Sequence, residues 1–177
     1  FETNPRPDLR HRIEHCSLVD QNLIDRMAKM NLCPSVNAGM VAALGANYTK
    51  FYGERMKYFG ALKSMLEAGV MCSLHSDAPS GPWGLKAIDG AVNRFDRNQQ
   101  VQTDKTQAVS VLEAIRCATI NGAYASYEEN IKGSIAVGKL ADLIVLSEDL
   151  LAIDPMDLNQ VQVDLTMIDG AVEYKRI

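Results

Sequence analysis

The sequence predicts an α/β protein built on a parallel sheet, followed by a small antiparallel element. Three observations carry that prediction. Strand-like and helix-like segments alternate over roughly the first 120 residues, and three strand-then-helix units imply parallel strands joined by helices. After Asn130 the segments are short and alternate apolar with polar residues, as half-buried strands do. Asp169-Gly170 then sits between two such segments, and this dipeptide is a strong hairpin signal.

Taken in order, residues 1–10 are polar and contain Pro5 and Pro7, so they read as a loop or linker. The first strand is expected at residues 13–17. Asp20 suits a helix N-cap, because its side-chain oxygen can accept from the first unpaired amides. Leu23, Ile24, Met27 and Met30 follow at helical spacing. The second strand is expected at 32–36, with Pro34 suiting a strand end better than a central ladder. Gly39, Gly45 and Gly53 read as a loop, and residues 54–67 as a helix burying Phe59, Leu62, Met65 and Leu66. Gly69 stands where a left-handed cap belongs, and the third strand, 70–74, follows at once. Pro79, Gly81, Pro82 and Gly84 shape a loop. Helices are expected at 87–95 and from Ser110, whose spacing to Glu113 fits a capping box. Asn121-Gly122 should interrupt this last helix before a short piece at 123–128. Strands are expected at 141–146, through Val161, Val163, Leu165 and Met167, and at 171–174.

Composition narrows the functional classes. With 177 residues and 47% hydrophobic content, the chain can bury one ordinary core. A net charge of -4 gives no electrostatic case for nucleic acid or an anionic membrane surface. No apolar run reaches the ~18 residues of a membrane span. Cys16, Cys33, Cys72 and Cys117 form no C-x-x-C, so they read as free buried thiols of a reducing, cytoplasmic setting. The chain opens on Phe1, which suggests a piece of a longer protein or a processed product.

Two residues could carry chemistry. His15 ends the first strand and Asp77 follows the third, and active sites of parallel sheets lie at the carboxyl ends of the strands. A histidine and an aspartate there could hold a metal and a water. On the residues alone, His15 reads equally as a structural histidine, and Asp77 as a loop or helix cap. His11 and His15 are four apart, but Glu14 is misplaced for an H-E-x-x-H zinc pair. In a strand the two lie ~13 Å apart, so only His15 reaches the top of the sheet. His75, two residues before Asp77, and Trp83, in the Gly/Pro-rich loop, are candidate substrate contacts.

Four segments in order resemble the amidohydrolase superfamily: Arg12-Ile13-Glu14-His15, Ser76-Asp77-Ala78-Pro79, Asn121-Gly122-Ala123-Tyr124-Ala125, and Lys132-Gly133-Ser134-Ile135 followed by Gly138-Lys139-Leu140-Ala141-Asp142-Leu143-Ile144-Val145-Leu146. The closest group resembles the long amidohydrolases such as N-substituted formamide deformylase. The resemblance spans essentially the whole chain. It implies a (β/α)8 TIM barrel holding one or two divalent metals, usually zinc, with a small β-sandwich packed on it. His15 matches the histidine after the sixth barrel strand, and Asp77 the aspartate after the eighth. The family's His-x-His after the first strand, and its ligands after the fourth and fifth, have no counterpart here. Where His75 stands the family usually has glycine, which implies an altered specificity.

The resemblance therefore implies the last three strand–helix units of a barrel in residues 1–130 and part of the β-sandwich in 131–177. A complete barrel needs ~200 residues or more. The implied activity is hydrolysis of a non-peptide, amide-like C–N bond in a small molecule. In it, His15 is a metal ligand and Asp77 both a ligand and the proton shuttle. The isolated chain is expected to be inactive, and either to form homo-oligomers or to associate with the missing barrel portion. Two alternatives remain: a non-catalytic interaction module derived from this fold, and a deaminase of the same superfamily.

Overall fold

The computed structural model of the chain describes residues 8–78 and 84–177. Strands β1 (Arg12–His15), β2 (Cys33–Val36) and β3 (Ser73–Leu74) form a parallel sheet in that spatial order. Helix α1 (Gln21–Lys29) links the first two strands. The Asp20 side chain accepts from the Leu23 amide at 3.0 Å, as its type and position require. Ile24 and Met27 are the buried residues of this helix.

Residues 39–53, expected as a loop, are instead the longest helix, α2 (Gly39–Tyr52). The glycines misled because two of them serve close packing or termination. A Cβ on Gly45 would stand 2.5 Å from Thr103 Cγ2, so the glycine lets another segment lie against the helix. Gly53 has φ 51 and ends it. The expected helix at 54–67 is also divided. A 3-10 segment covers Gly53–Tyr58, and α3 runs Leu62–Glu67. Gly60, with φ 51, makes the break. Gly69, with φ 77, closes α3 in the left-handed conformation expected of it.

Helix α4 (Gly84–Asn93) crosses α2 at backbone contact, since a Cβ on Gly90 would meet the Ala38 carbonyl oxygen at 2.1 Å. A short unexpected hairpin, β4 (Phe95–Asp96) and β5 (Val101–Gln102), follows. Helix α5 (Val111–Ala118) carries the full capping box of Ser110 and Glu113. The break before α6 (Ile120–Ala125) falls at Thr119, not at Asn121-Gly122, which lie inside α6. The tail is a three-stranded antiparallel sheet of β6 (Leu143–Leu146), β7 (Val163–Ile168) and β8 (Ala171–Lys175). Asp169 and Gly170 both have positive φ, 49 and 80, as the hairpin turn demands.

One core joins these parts. Ile24, Met27, Leu62, Met65, Cys72, Ile88, Ala114 and Cys117 pack with Leu150, Leu158 and Val161 from the tail. Each large apolar side chain buried here contributes about 1.5–3 kcal/mol. Asp89, 1% exposed, fixes the seam. It accepts from Asn93 at 2.7 Å and from Arg97 at 2.6 and 3.0 Å. Asn93 and Arg97 in turn donate to the Pro155 and Met156 carbonyls at 2.6 and 2.9 Å. Among the described residues no helix is long and apolar enough to cross a membrane.

Two expectations follow. Gly90→Ala should destabilise the chain by about 1–3 kcal/mol through overpacking against backbone. Gly122→Ala, which meets nothing within 4 Å, should stabilise it by about 0.5–1 kcal/mol. Equal denaturation midpoints for the two variants would refute the close helix crossing. All four thiols are buried, and burial pushes the Cys16 and Cys117 pKa values up to about 11 and raises that of Cys72. A thiol-specific reagent at neutral pH should therefore label none of them rapidly in the folded chain and all four after unfolding.

Candidate metal centre

The register of the parallel sheet decides which side chains meet. His15 pairs with Val36, and Val36 with Leu74, so the three strands end in line. The His75 amide continues the ladder, donating to the Val36 carbonyl at 3.1 Å. His15, Cys16 and Asp77 all have left-handed backbone, with φ 62, 42 and 57. The Cys16 amide turns straight back to the Glu14 carbonyl at 2.7 Å. Such conformations cost a non-glycine residue roughly 1–2 kcal/mol, and they cluster where structure and function conflict.

His15 and Asp77 line one cavity of about 150 Å³. Asn37, the first residue after β2, also lines it, with Ser17 and Met40 nearby. One wall is aromatic. Tyr48 and Tyr52 share a face of α2, and Phe59 stacks against them with ring centroids at 4.6 and 5.8 Å. The guanidinium of Arg94 holds that wall, donating to the Phe59 and Gly60 carbonyls at 3.0 and 3.4 Å and to the Asp104 carbonyl at 3.0 Å. Burial pulls the Arg94 pKa down to about 10, opposed by the Asp104 charge, which leaves a cation at neutral pH.

His75 stands edge-on to His15, with ring centroids 4.8 Å apart and planes at 80°. Its Nε2 is buried without a hydrogen-bond partner. Burial, and then the nearby His15, depress its pKa, so the ring is neutral at physiological pH. It contacts His15 and is not among the residues lining the cavity. Trp83 lies outside the described residues. His11 precedes β1, at the opposite end from His15.

Imidazole and carboxylate are donors that zinc accepts, so the pair suits a divalent ion in kind. Among the described residues, however, no three His, Cys, Asp or Glu side chains gather as a metal would need. Catalytic zinc takes three protein ligands. The residues present therefore make part of a site.

Asn37 and the aromatic wall were not foreseen. Asn37 occupies the same strand-end position that drew attention to His15 and Asp77, and that rule applied to β2 would have found it. Tyr48 and Tyr52 are four apart, a helical spacing hidden by the glycines around them.

The sheet and helices match an uncharacterized metal-dependent hydrolase of Pyrococcus horikoshii OT3 with a TM-score of 0.70, at 24% identity, over 84% of this chain and 31% of that one. That likeness is one of fold. The sequence pattern of the amidohydrolase family matches residues 1–174, and the chain belongs to that family. It is 33% identical to a protein of Bacillus subtilis (strain 168) named as the amidohydrolase YtcJ, over 99% of this chain and 34% of the relative. It is 32% identical to the N-substituted formamide deformylase of Arthrobacter pascens, over 93% of this chain and 31% of the relative. The chain thus spans about a third of the length of the curated relatives it matches.

Replacing Arg94 by Met should take the guanidinium donor from the Phe59 and Asp104 carbonyls, while Gly60 keeps the Leu62 amide, and cost about 2–4 kcal/mol. Thermal unfolding at neutral pH would measure it, and an unchanged melting temperature would mean that the cavity wall stands without the guanidinium.

Proposed function

We propose that this chain forms part of a hydrolase barrel that cleaves an amide-like C–N bond in a small molecule with the help of a divalent metal, zinc by its donor set. In this reading residues 1–130 belong to the barrel and 131–177 to a small β-sandwich. One observation carries it: His15 and Asp77, from the carboxyl ends of two strands of one parallel sheet, line the same cavity. Family membership and the metal-dependent hydrolase fold support it.

A bound divalent ion would supply Lewis acidity and make a water acidic enough to react near neutral pH. His15 would ligate it as a neutral imidazole, and His75, neutral and packed edge-on, would hold that ring in place. Asp77 would ligate it through its carboxylate. It would also take the proton from the attacking water and then give it to the departing nitrogen, general base first and general acid second. The aromatic wall of Tyr48, Tyr52 and Phe59 would shield one side of the reacting bond from water.

In the protein that carries this chain, Asp77→Asn should lower kcat roughly 100- to 10,000-fold while leaving the thermal unfolding midpoint within a few degrees. Near-normal turnover would sink the proton-shuttle role. Elemental mass spectrometry on the 177-residue chain alone should find well under one zinc per chain after dialysis, since the two ligands are incomplete. Product analysis separates the alternatives. Release of a carboxylic acid and an amine fits amide hydrolysis, release of ammonia from a ring carbon fits a deaminase, and no turnover in the metal-loaded protein fits an interaction module.

A further inference from the structure

The chain just ahead of β1 is fastened at the end of the sheet opposite His15 and Asp77. Arg10, with its side chain 9% exposed, makes the fastening. Its guanidinium pairs with Asp8 through two nitrogens, at 2.8 and 2.7 Å. The third nitrogen meets the Tyr124 carbonyl at 2.7 Å and the Glu129 carboxylate at 2.9 Å. The same group lies over the Tyr124 ring at 3.6 Å and the Tyr127 ring at 4.5 Å. The Tyr127 hydroxyl donates to the Asp8 and Leu9 carbonyls at 2.8 and 2.7 Å.

These contacts hold the segment against its own preference. Asp8, Arg10 and Tyr127 have left-handed backbone, with φ 54, 42 and 61, which non-glycine residues adopt at a cost. The slot that holds the guanidinium is also selective. A guanidinium is flat, so it stacks on an aromatic face while its fork meets carboxylates, and an ammonium cannot do both.

One thiol stands beside this segment. Cys16, Cys72 and Cys117 pack in the core, but Cys33, 0% exposed, is outside that cluster. Its amide donates at 2.9 Å to the carbonyl of His11, the residue after Arg10. Burial raises the pKa of its thiol, with the Arg10 charge opposing and the Asp8 charge adding, so both charged side chains lie near it. A thiol hidden by a short segment, and not by the core, can be bared by local opening.

We propose that residues 8–10 are a strap that Arg10 clasps to the α6 end of the fold over Cys33, and that release of this clasp bares Cys33 while the core stays folded. The slot formed by Tyr124, Tyr127 and Glu129 is a guanidinium site that the chain fills with its own arginine. No residue of the strap or slot lines the cavity of His15 and Asp77, so the strap and the hydrolase reading stand or fall separately.

Iodoacetamide labelling of the full chain at neutral pH, with each cysteine read by mass spectrometry, tests the strap. Arg10→Ala should label at Cys33 at least tenfold faster than the parent, with Cys16, Cys72 and Cys117 still protected. Millimolar ethylguanidinium, which restores the missing group, should slow that labelling at least fivefold, and propylammonium should not. Tyr127→Phe keeps the ring and drops the two carbonyl contacts, so it should speed Cys33 labelling by a smaller factor. Cys33 labelled at the parent's rate in either variant would overturn the strap. So would all four thiols labelled together, because release would then be global unfolding. Protection by propylammonium equal to that by ethylguanidinium would overturn the guanidinium slot.

Discussion

A guanidinium buried among carbonyls organises this molecule. Arg94 is 1% exposed and reaches the main chain of two separate segments, Phe59-Gly60 and Asp104. A buried cation is tolerable only where its donors find partners. The segments that supply them cannot part without stranding the charge. The Arg94 carbonyl is held too, by the Thr103 amide and by the Gln102 and Thr103 side chains. Gly60, one of the acceptors, has φ 51, and the chain breaks there between the 3-10 segment and α3. That break aims Phe59 at Tyr48 and makes the cavity wall.

The same segment carries the tail. Asn93 and Arg97, both held by the Asp89 carboxylate, donate to the main-chain carbonyls of Pro155 and Met156, and Leu150, Leu158 and Val161 complete the core. The antiparallel sheet is thus anchored through the connection between β6 and β7. Its own faces leave Ile144, Val145, Val172 and Tyr174 about half exposed.

Around the cavity the fold gives up stability. Three left-handed non-glycine residues, an unpaired His75 nitrogen and an unpaired Asn37 amide stand at the ends of three adjacent strands. Left-handed non-glycine backbone recurs elsewhere, at Asp8, Arg10, Asn31, Arg94, Gln100 and Tyr127, while Asp20 and Ser110 cap helices and Asp169-Gly170 turns a hairpin as their types require.

The sequence by itself determined the three parallel strands, the caps of α1 and α5, the tail hairpin, and the positions of His15 and Asp77 at strand ends. Those features rest on local periodicity and on side chains that bond to their own neighbours, which a single stretch of chain encodes. Tertiary structure alone decided that residues 39–52 are helical, that the chain breaks at Gly60 and Thr119, and that Asn37, Tyr48 and Phe59 share a cavity with His15. A glycine in a loop and a glycine under another segment look alike in sequence. Only the Thr103 methyl over Gly45 and the Ala38 carbonyl against Gly90 tell them apart, because close approach is a property of two distant segments and of neither alone.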